Sequence, residues 1–298
     1  MTPSASSPPP VPTAVLFGLR RMWIAGILLT ALWASQGLDI HLNELVPDGS
    51  GSQIMGRFLS AALHPAFDYE SAVPAGTVPL LSKVLDAVRR TLVFAAAGMS
   101  LSLLIGLPLG ALASTSWWED SEDTSTGLAK LTNRVGRSGL FVALRAVIAV
   151  MRSIHELLWA ILFLAALGLN SFSAVCAIAI PYGGTLAKVF SEMLDETPRD
   201  TADVLRGSGA SKLQVFLFGL LPRALPDMAA YTFYRLECAV RSSAMLGFFG
   251  FPTLGYFIKL AFVNQHYREV WTYLWALILV VVALELVSGA LRRRVVIR

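Results

Sequence analysis

The stretch TLVFAAAGMSLSLLIGLPLGALASTSWW, Thr91 to Trp118, contains no charged side chain. A hydrocarbon core about 30 Å thick is crossed by roughly 20 helical residues at about 1.5 Å each, so this run is long enough to span a bilayer. That reading decides the class of fold, because a segment surrounded by lipid must satisfy its backbone hydrogen bonds internally. The composition agrees: of 298 residues, 55% are hydrophobic and 15% charged, with a mean hydropathy of +0.62. Soluble domains run at roughly 45–50% and about 25%.

Four other regions extend the pattern. Met22 to Leu38 follows Arg20 and Arg21, and Leu157 to Ala187 is a further uncharged run. The latter is too long for one helix and is divided at Gly168 to Ser171 (GLNS), where Gly and Asn favour a turn. The first of these two spans has to begin before Arg152, near Leu140, because Leu157 to Leu167 alone is too short. Leu213 to Gly250 makes a fifth span carrying Asp227, Arg235, Glu237 and Arg241, and Trp271 to Ser288 a sixth. The expectation is an all-α polytopic membrane protein of about six transmembrane helices. Lys and Arg accumulate in short cytoplasmic loops; their alternation along the chain puts both termini in the cytoplasm.

The chain divides accordingly. Residues 1–19, beginning MTPSASSPPPVPT, form a Pro/Ser-rich cytoplasmic tail expected to be disordered. Residues 20–38 form the first transmembrane helix, read as uncleaved because its apolar run exceeds the usual core of about 7–15 residues in a signal peptide. Residues 39–82 hold one basic residue among Lys and Arg, Arg57, and form an external loop with a short interfacial helix. Residues 83–291 are the main membrane domain, and 292–298 a basic cytoplasmic C-terminus. The acidic stretch WWEDSEDTSTG at 117–127 reads as a cytoplasmic linker anchored by Trp117 and Trp118. There is no internal repeat, so a two-fold pathway needs two copies.

Catalytic patterns fail on spacing. HELLW at 155–159 places Trp159 where HExxH needs its second histidine, and GSGASK at 207–212 lacks the spacing and strand of a phosphate loop. No Ser or Cys stands in a GxSxG elbow. Cys176 and Cys238 both lie within spans without CxxC spacing, which argues against a disulfide framework or thiolate metal site. The sequence pI near 9.2 follows from basic loops, so no nucleic-acid partner is expected. Neither an enzyme nor a resident metal is expected; the partners are membrane lipid and other subunits.

Charges inside spans are the informative residues, since each costs roughly 2.5–3.5 kcal/mol on insertion scales and marks a pathway or a buried pair. Glu237 and Arg241 stand four apart, as do Arg152 and Glu156, the spacing of neighbours on one helical face. Either they are ion pairs that orient helices or they line a pathway. Arg235 and Arg241, with Tyr231 and Tyr234 nearby, offer a positive hydrogen-bonding lining suited to a phosphate-like solute.

Between the fourth and fifth spans lies DTADVLRGSGASKLQVFLFGLLPRALPD, Asp200 to Asp227. Its 200–212 part reads as a short polar helix on the cytoplasmic side, shaped either to lie at the interface or to dock into a groove on another protein. The acidic Asp203 with Val204 and Leu205, then Gly209 six positions after Asp203, then Leu221-Pro222 with Pro222 thirteen after Gly209, resembles the EAA signature (EAA-x3-G-x9-I-x-LP) of binding-protein-dependent ABC importer permeases. Asp replaces Glu at 203, Val and Leu replace the two Ala, and Gly219 replaces Ile. The segments at 152–169, 205–226 and 231–250, the last with Tyr234-Arg235-x-Glu237 followed by Val240-Arg241-Ser242, are similar to phosphonate and phosphite importer permeases. Phe251 to Leu254 depart from that subfamily's small residues.

The resemblance implies a type I, MetI-like permease fold in the inner membrane and a homodimer with two cytoplasmic ABC ATPase subunits and an external solute-binding protein. ATP and Mg would bind the partner ATPase and nothing would bind the permease as a cofactor. It implies that Asp203, Val204, Leu205, Arg206, Gly209 and Ala210, with Leu221 and Pro222, form the ATPase-coupling element. Arg152, Glu156, Tyr234, Arg235, Glu237 and Arg241 are the candidates for pathway or buried ion pairs. The implied solute is phosphonate, phosphite or a related phosphorus oxyanion; another small anion, or a membrane-embedded enzyme, is the alternative.

Overall fold

A computed structural model describes residues 13–38, 48–118 and 128–296. The expected disorder before Thr13 and most of the acidic linker after Trp118 lie outside these residues. All the regular structure described is helical, and it falls into two compact units, Met1–Arg57 and Phe58–Arg298. The first contains α1 (Thr13–Gly37), a helix that overlaps residues 20–38 and begins before them, and most of α2 (Gly49–Ala61), a helix within the 39–82 segment. The second contains α3 (Leu80–Ala113), α4 (Leu128–Ser153), α5 (Glu156–Leu167), α6 (Ser171–Glu196) and α7 (Asp200–Gly207). It continues with α8 (Lys212–Gln214), a π-helical turn at Val215–Leu220, α9 (Leu221–Met245), α10 (Leu254–Val263) and α11 (Tyr267–Val296).

The centre of the second unit is the pair α3 and α6. Lipid tails are as apolar as the helices, so association rests on close van der Waals contact and interhelical hydrogen bonds. Small residues on α3 provide that contact. A Cβ on Gly106 would lie 2.9 Å from the Gly183 carbonyl oxygen, and one on Gly110 would lie 2.9 Å from that of Ala187. Between them and Ala95, Ser102 donates across the interface to the Ala179 carbonyl at 3.2 Å. α9 joins through Ser243, which donates to the Thr91 carbonyl at 2.8 Å.

At the Leu80 end of α3, residues 58–70, from the last turn of α2 onward, are stitched to α11. Trp271 Nε1 donates to the Phe58 carbonyl (2.7 Å), Trp275 Nε1 to that of Ala62 (3.0 Å) and Thr272 Oγ1 to that of Ala66 (2.7 Å). Glu70 and Glu269 exchange backbone N–H to carboxylate bonds at 2.8 and 2.9 Å. The second half of the expected external loop is thus ordered, its polar backbone satisfied by side chains of a helix almost 200 residues away in sequence (|i−j| 199 for the Glu pair).

Among the described residues, α3, α6 and Tyr267–Ala290 of α11 are long and apolar enough to cross a membrane, and two bent pairs bring the number to five. The six-span expectation is therefore met only approximately. The correction concerns the span expected from Leu140 to Leu167: it is broken by 92° between α4 and α5. His155 is the cause. Its backbone is extended (φ −64, ψ 146) and its Nδ1 accepts the Leu157 N–H at 3.3 Å, so it caps a new helix instead of continuing the old one.

Candidate functional site

α7 is fixed on one side and open on the other. Ala202 is fully buried (0% exposed) and Val204 is 74% exposed. The buried side rests on the π-helical turn: a Cβ at Gly219 would approach Ala202 Cα to 3.2 Å and Leu205 Cδ1 to 3.3 Å. The departure from Ile at 219 thus removes bulk where α7 lies close. On the surface Asp203 pairs with Arg206 at 2.9 Å. Arg223 donates to the Pro198 carbonyl and the Thr201 hydroxyl, each at 3.3 Å, tying the start of α7 to α9.

The helix is shorter than the 200–212 expected from sequence. It ends at Gly207, where a Schellman turn closes it: Ala210 N–H reaches Leu205 O (3.1 Å) and Gly209 N–H reaches Arg206 O (2.9 Å). Gly209 sits at φ +82, a conformation open to glycine at no steric cost. Ser211 then caps the next helix in a reciprocal box with Gln214, so Lys212 belongs to α8. Further on, Leu221 N–H bonds to Phe216 O, five residues back. That wider turn accommodates Pro222, which has no N–H and whose ring crowds the carbonyl four residues earlier.

Asp195, near the end of α6, ties this region to the bundle and was not singled out by the sequence. Its carboxylate accepts from Ser114 Oγ (2.5 Å), Thr115 N (3.1 Å), and Ser116 N and Oγ (3.0 and 3.1 Å). Arg145 of α4 stands 3.8 Å away. Arg199, which precedes α7, reaches Ser116 Oγ at 3.4 Å. Trp117 in the same turn packs edge-on against Phe216, 5.2 Å between centroids, and carries the Lys212 ammonium over its ring at 5.2 Å. The ends of α3 and α6, the middle of α4 at Arg145 and the supports of α7 therefore meet in one knot. Trp117 is a packing and cation-binding residue there, a fuller role than the interface anchor expected.

Deeper in the bundle, the candidate charges separate into two outcomes. Glu237 and Arg241 form the expected pair at 3.2 Å. Arg152 and Glu156 do not share a helical face, because the 92° break puts them on α4 and α5. Glu156 is instead met by Ser242 Oγ at 2.8 Å, with His155 Nε2 at 3.6 Å. Tyr182 of α6 lies 2.9 Å from Ser242 Oγ, and the Arg235 guanidinium lies over the rings of Tyr182 (4.9 Å) and Tyr231 (5.8 Å). Tyr182 was missed because a single hydroxyl in an apolar run carries no spacing signal, and Ser242, quoted above only as part of a motif, gave no sign that it bridges Tyr182 and Glu156. Tyr231 also lines a cavity of about 560 Å³ with Thr197, Arg223, Asp227 and Tyr234, between the end of α6 and α9.

The profile of a family described as "Binding-protein-dependent transport system inner membrane component" matches residues 127–298. The chain belongs to that family. This ABC importer permease is close to phosphite and phosphonate permeases. It is 28% identical over 212 residues to HtxC of Stutzerimonas stutzeri, named for phosphite transport, a match spanning 71% of this chain and 69% of the relative. It is 27% identical over 203 residues to the phosphate-import permease protein PhnE of Mycolicibacterium smegmatis, spanning 68% of this chain and 35% of the relative. The permease also shares its fold with a chain of the MetNI methionine ABC transporter in an inward-facing conformation. That likeness has a TM-score of 0.61 and 21% identity, and covers 74% of this chain and 99% of the other. As an inner-membrane transport component, the permease is not itself an enzyme.

Proposed function

We propose that two copies of this permease form the pathway of an ATP-driven importer for phosphite, phosphonate or a related phosphorus oxyanion. Two cytoplasmic ABC ATPase subunits, which carry ATP and Mg, would dock on α7, and an external solute-binding protein would deliver the solute; both termini lie in the cytoplasm. The observation that carries this reading is α7 itself, an eight-residue helix anchored through Ala202 and Arg223 while Val204 projects outward. An anchored helix with an outward apolar residue passes a partner's displacement to the bundle. The names of the relatives support the solute class.

The second copy is supported by α9. Arg241 has a side chain 55% exposed and Tyr234 is 48% exposed, within a helix that belongs to a bent span. Such a face is costly against hydrocarbon and suits a water-filled cavity or another subunit. The test is to purify the permease with its ATPase and binding protein and to measure ATP hydrolysis with phosphite, phosphate or methylphosphonate. Stimulation by at least one is expected; stimulation by none, with a response to an unrelated solute, discards the substrate class.

A further inference from the structure

Arg235 is the least conventionally satisfied cation of the polar cluster. Its Nε is buried with no hydrogen-bond partner among the described residues. Of the charges around it, Arg241 is committed to Glu237 at 3.2 Å, and the Glu156 carboxylate to Ser242 at 2.8 Å and His155 at 3.6 Å, while Arg152 adds a second positive charge near Tyr231. What holds the Arg235 guanidinium is aromatic, the rings of Tyr182 and Tyr231 at 4.9 and 5.8 Å. A guanidinium packed on ring faces is attracted by their π electrons while its N–H donors, which lie in its own plane, stay available. A buried donor of a charged group left without an acceptor is costly, so the arrangement favours an acceptor arriving from outside the chain.

The ring platform is itself fixed. Ser242 has one hydroxyl proton, and it goes to Glu156 Oε1 at 2.8 Å. The short contact between Tyr182 and Ser242, 2.9 Å, therefore uses the tyrosine proton. Tyr182 is thus held by a chain of two hydrogen bonds ending on a carboxylate, with its ring under Arg235. Asp227, Tyr231 and Arg235 recur every four residues on α9, one face of the helix. Asp227 and Tyr231 line the cavity between the end of α6 and α9, so Arg235 stands one turn beyond Tyr231.

We propose that Arg235, framed by Tyr182 and Tyr231, is an oxyanion-binding site within the translocation pathway, taking tetrahedral phosphorus oxyanions through the parallel donors of its guanidinium; this rests on the importer reading above. Glu156 and Ser242 are positioning residues that act through Tyr182. Two copies of the permease would present two such sites to one pathway.

The experiment compares the complete complex, reconstituted in liposomes with its binding protein, carrying wild-type permease, Arg235→Gln or Arg235→Lys. Uptake of radiolabelled phosphite is measured beside complex assembly and melting temperature. Arg235→Gln is expected to lower uptake about tenfold or more, the usual scale for a lost charged hydrogen bond. Arg235→Lys, which keeps the charge and loses the fork, is expected to fall between, with both variants assembling. Uptake by Arg235→Gln within about twofold of wild type overturns the site, well inside the single factor of ten that one such bond represents. Equal loss of assembly in both variants also overturns it, by assigning Arg235 to packing. A wild-type complex that hydrolyses ATP in response to no phosphorus oxyanion overturns the importer's solute class instead, and the site falls with it.

Discussion

Gly209 and Asp195 show how much single residues determine in this region. At φ +82, any side chain at 209 would pay for the left-handed conformation about 1–2 kcal/mol, although nothing lies within 4 Å of a Cβ there. Gly209→Val is therefore expected to leave the permease inserted while distorting the end of α7, and solute-stimulated ATP hydrolysis of the reconstituted complex should fall. Gly209→Asn, which tolerates this conformation better, should fall less; undiminished coupled transport in the Val variant would remove α7 from the coupling role. For Asp195→Ala, four donor contacts from Ser114 to Ser116 lose their acceptor. A destabilisation of about 1–3 kcal/mol is expected, read as a lower melting temperature of the purified permease. Gly209 is legible in the sequence because its role is local. Asp195 is not, because its partners lie about 80 positions earlier (|i−j| 79–81).

Among the elements, the long apolar runs identify α3, α6 and α11, since apolar length alone suffices to recognise a span. The run containing α4 and α5 misleads for a physical reason. Arg152 and Glu156 have helical spacing, and nothing in their identities records that His155 turns its own side chain back to cap Leu157. The end of α7 is misjudged similarly: Lys212 looks like the basic end of one helix and is in fact the start of another, capped by Ser211. The contact of α3 with α6 yields a direct prediction. Gly106→Leu would drive a side chain into the Gly183 carbonyl at 2.9 Å; overpacking typically costs about 1–3 kcal/mol, and here backbone blocks relief. Folded protein in the membrane, measured by yield of monodisperse permease after extraction, should drop sharply. Leu104→Ala on the same helix, where Leu104 is 73% exposed, should not lower it.

For the whole molecule, the proposed pairing of two copies across α9 has a chemical readout. With Cys176 and Cys238 replaced by Ser, Tyr234→Cys is expected to form a disulfide-linked dimer under mild oxidation in membranes. Leu104→Cys in the same background is expected to remain monomeric. A dimer from Leu104→Cys and none from Tyr234→Cys would place the subunit contact on α3 instead. The charges of α9 are legible in the sequence, and the spacing of Glu237 and Arg241 matches the pair they form, whereas the same spacing at Arg152 and Glu156 spans the 92° break and does not.

The glycine-lined seam between α3 and α6 and the knot around Asp195 have a joint mechanical consequence. Two helices in backbone contact along their length and pinned at one end have little freedom to slide or splay, so they behave as a single stave. Large backbone rotations require residues that are not so held. The break at Ile154-His155, exposed and with a bend of 92°, meets that requirement; the one between Phe249 and Leu254 does not, because Leu254 N–H is bonded to Thr91 Oγ1 at 3.1 Å and Thr253 Oγ1 to the Ala244 carbonyl at 3.0 Å. For the importer proposed above, alternating access would then be a leaf swinging on that one hinge beside a fixed post.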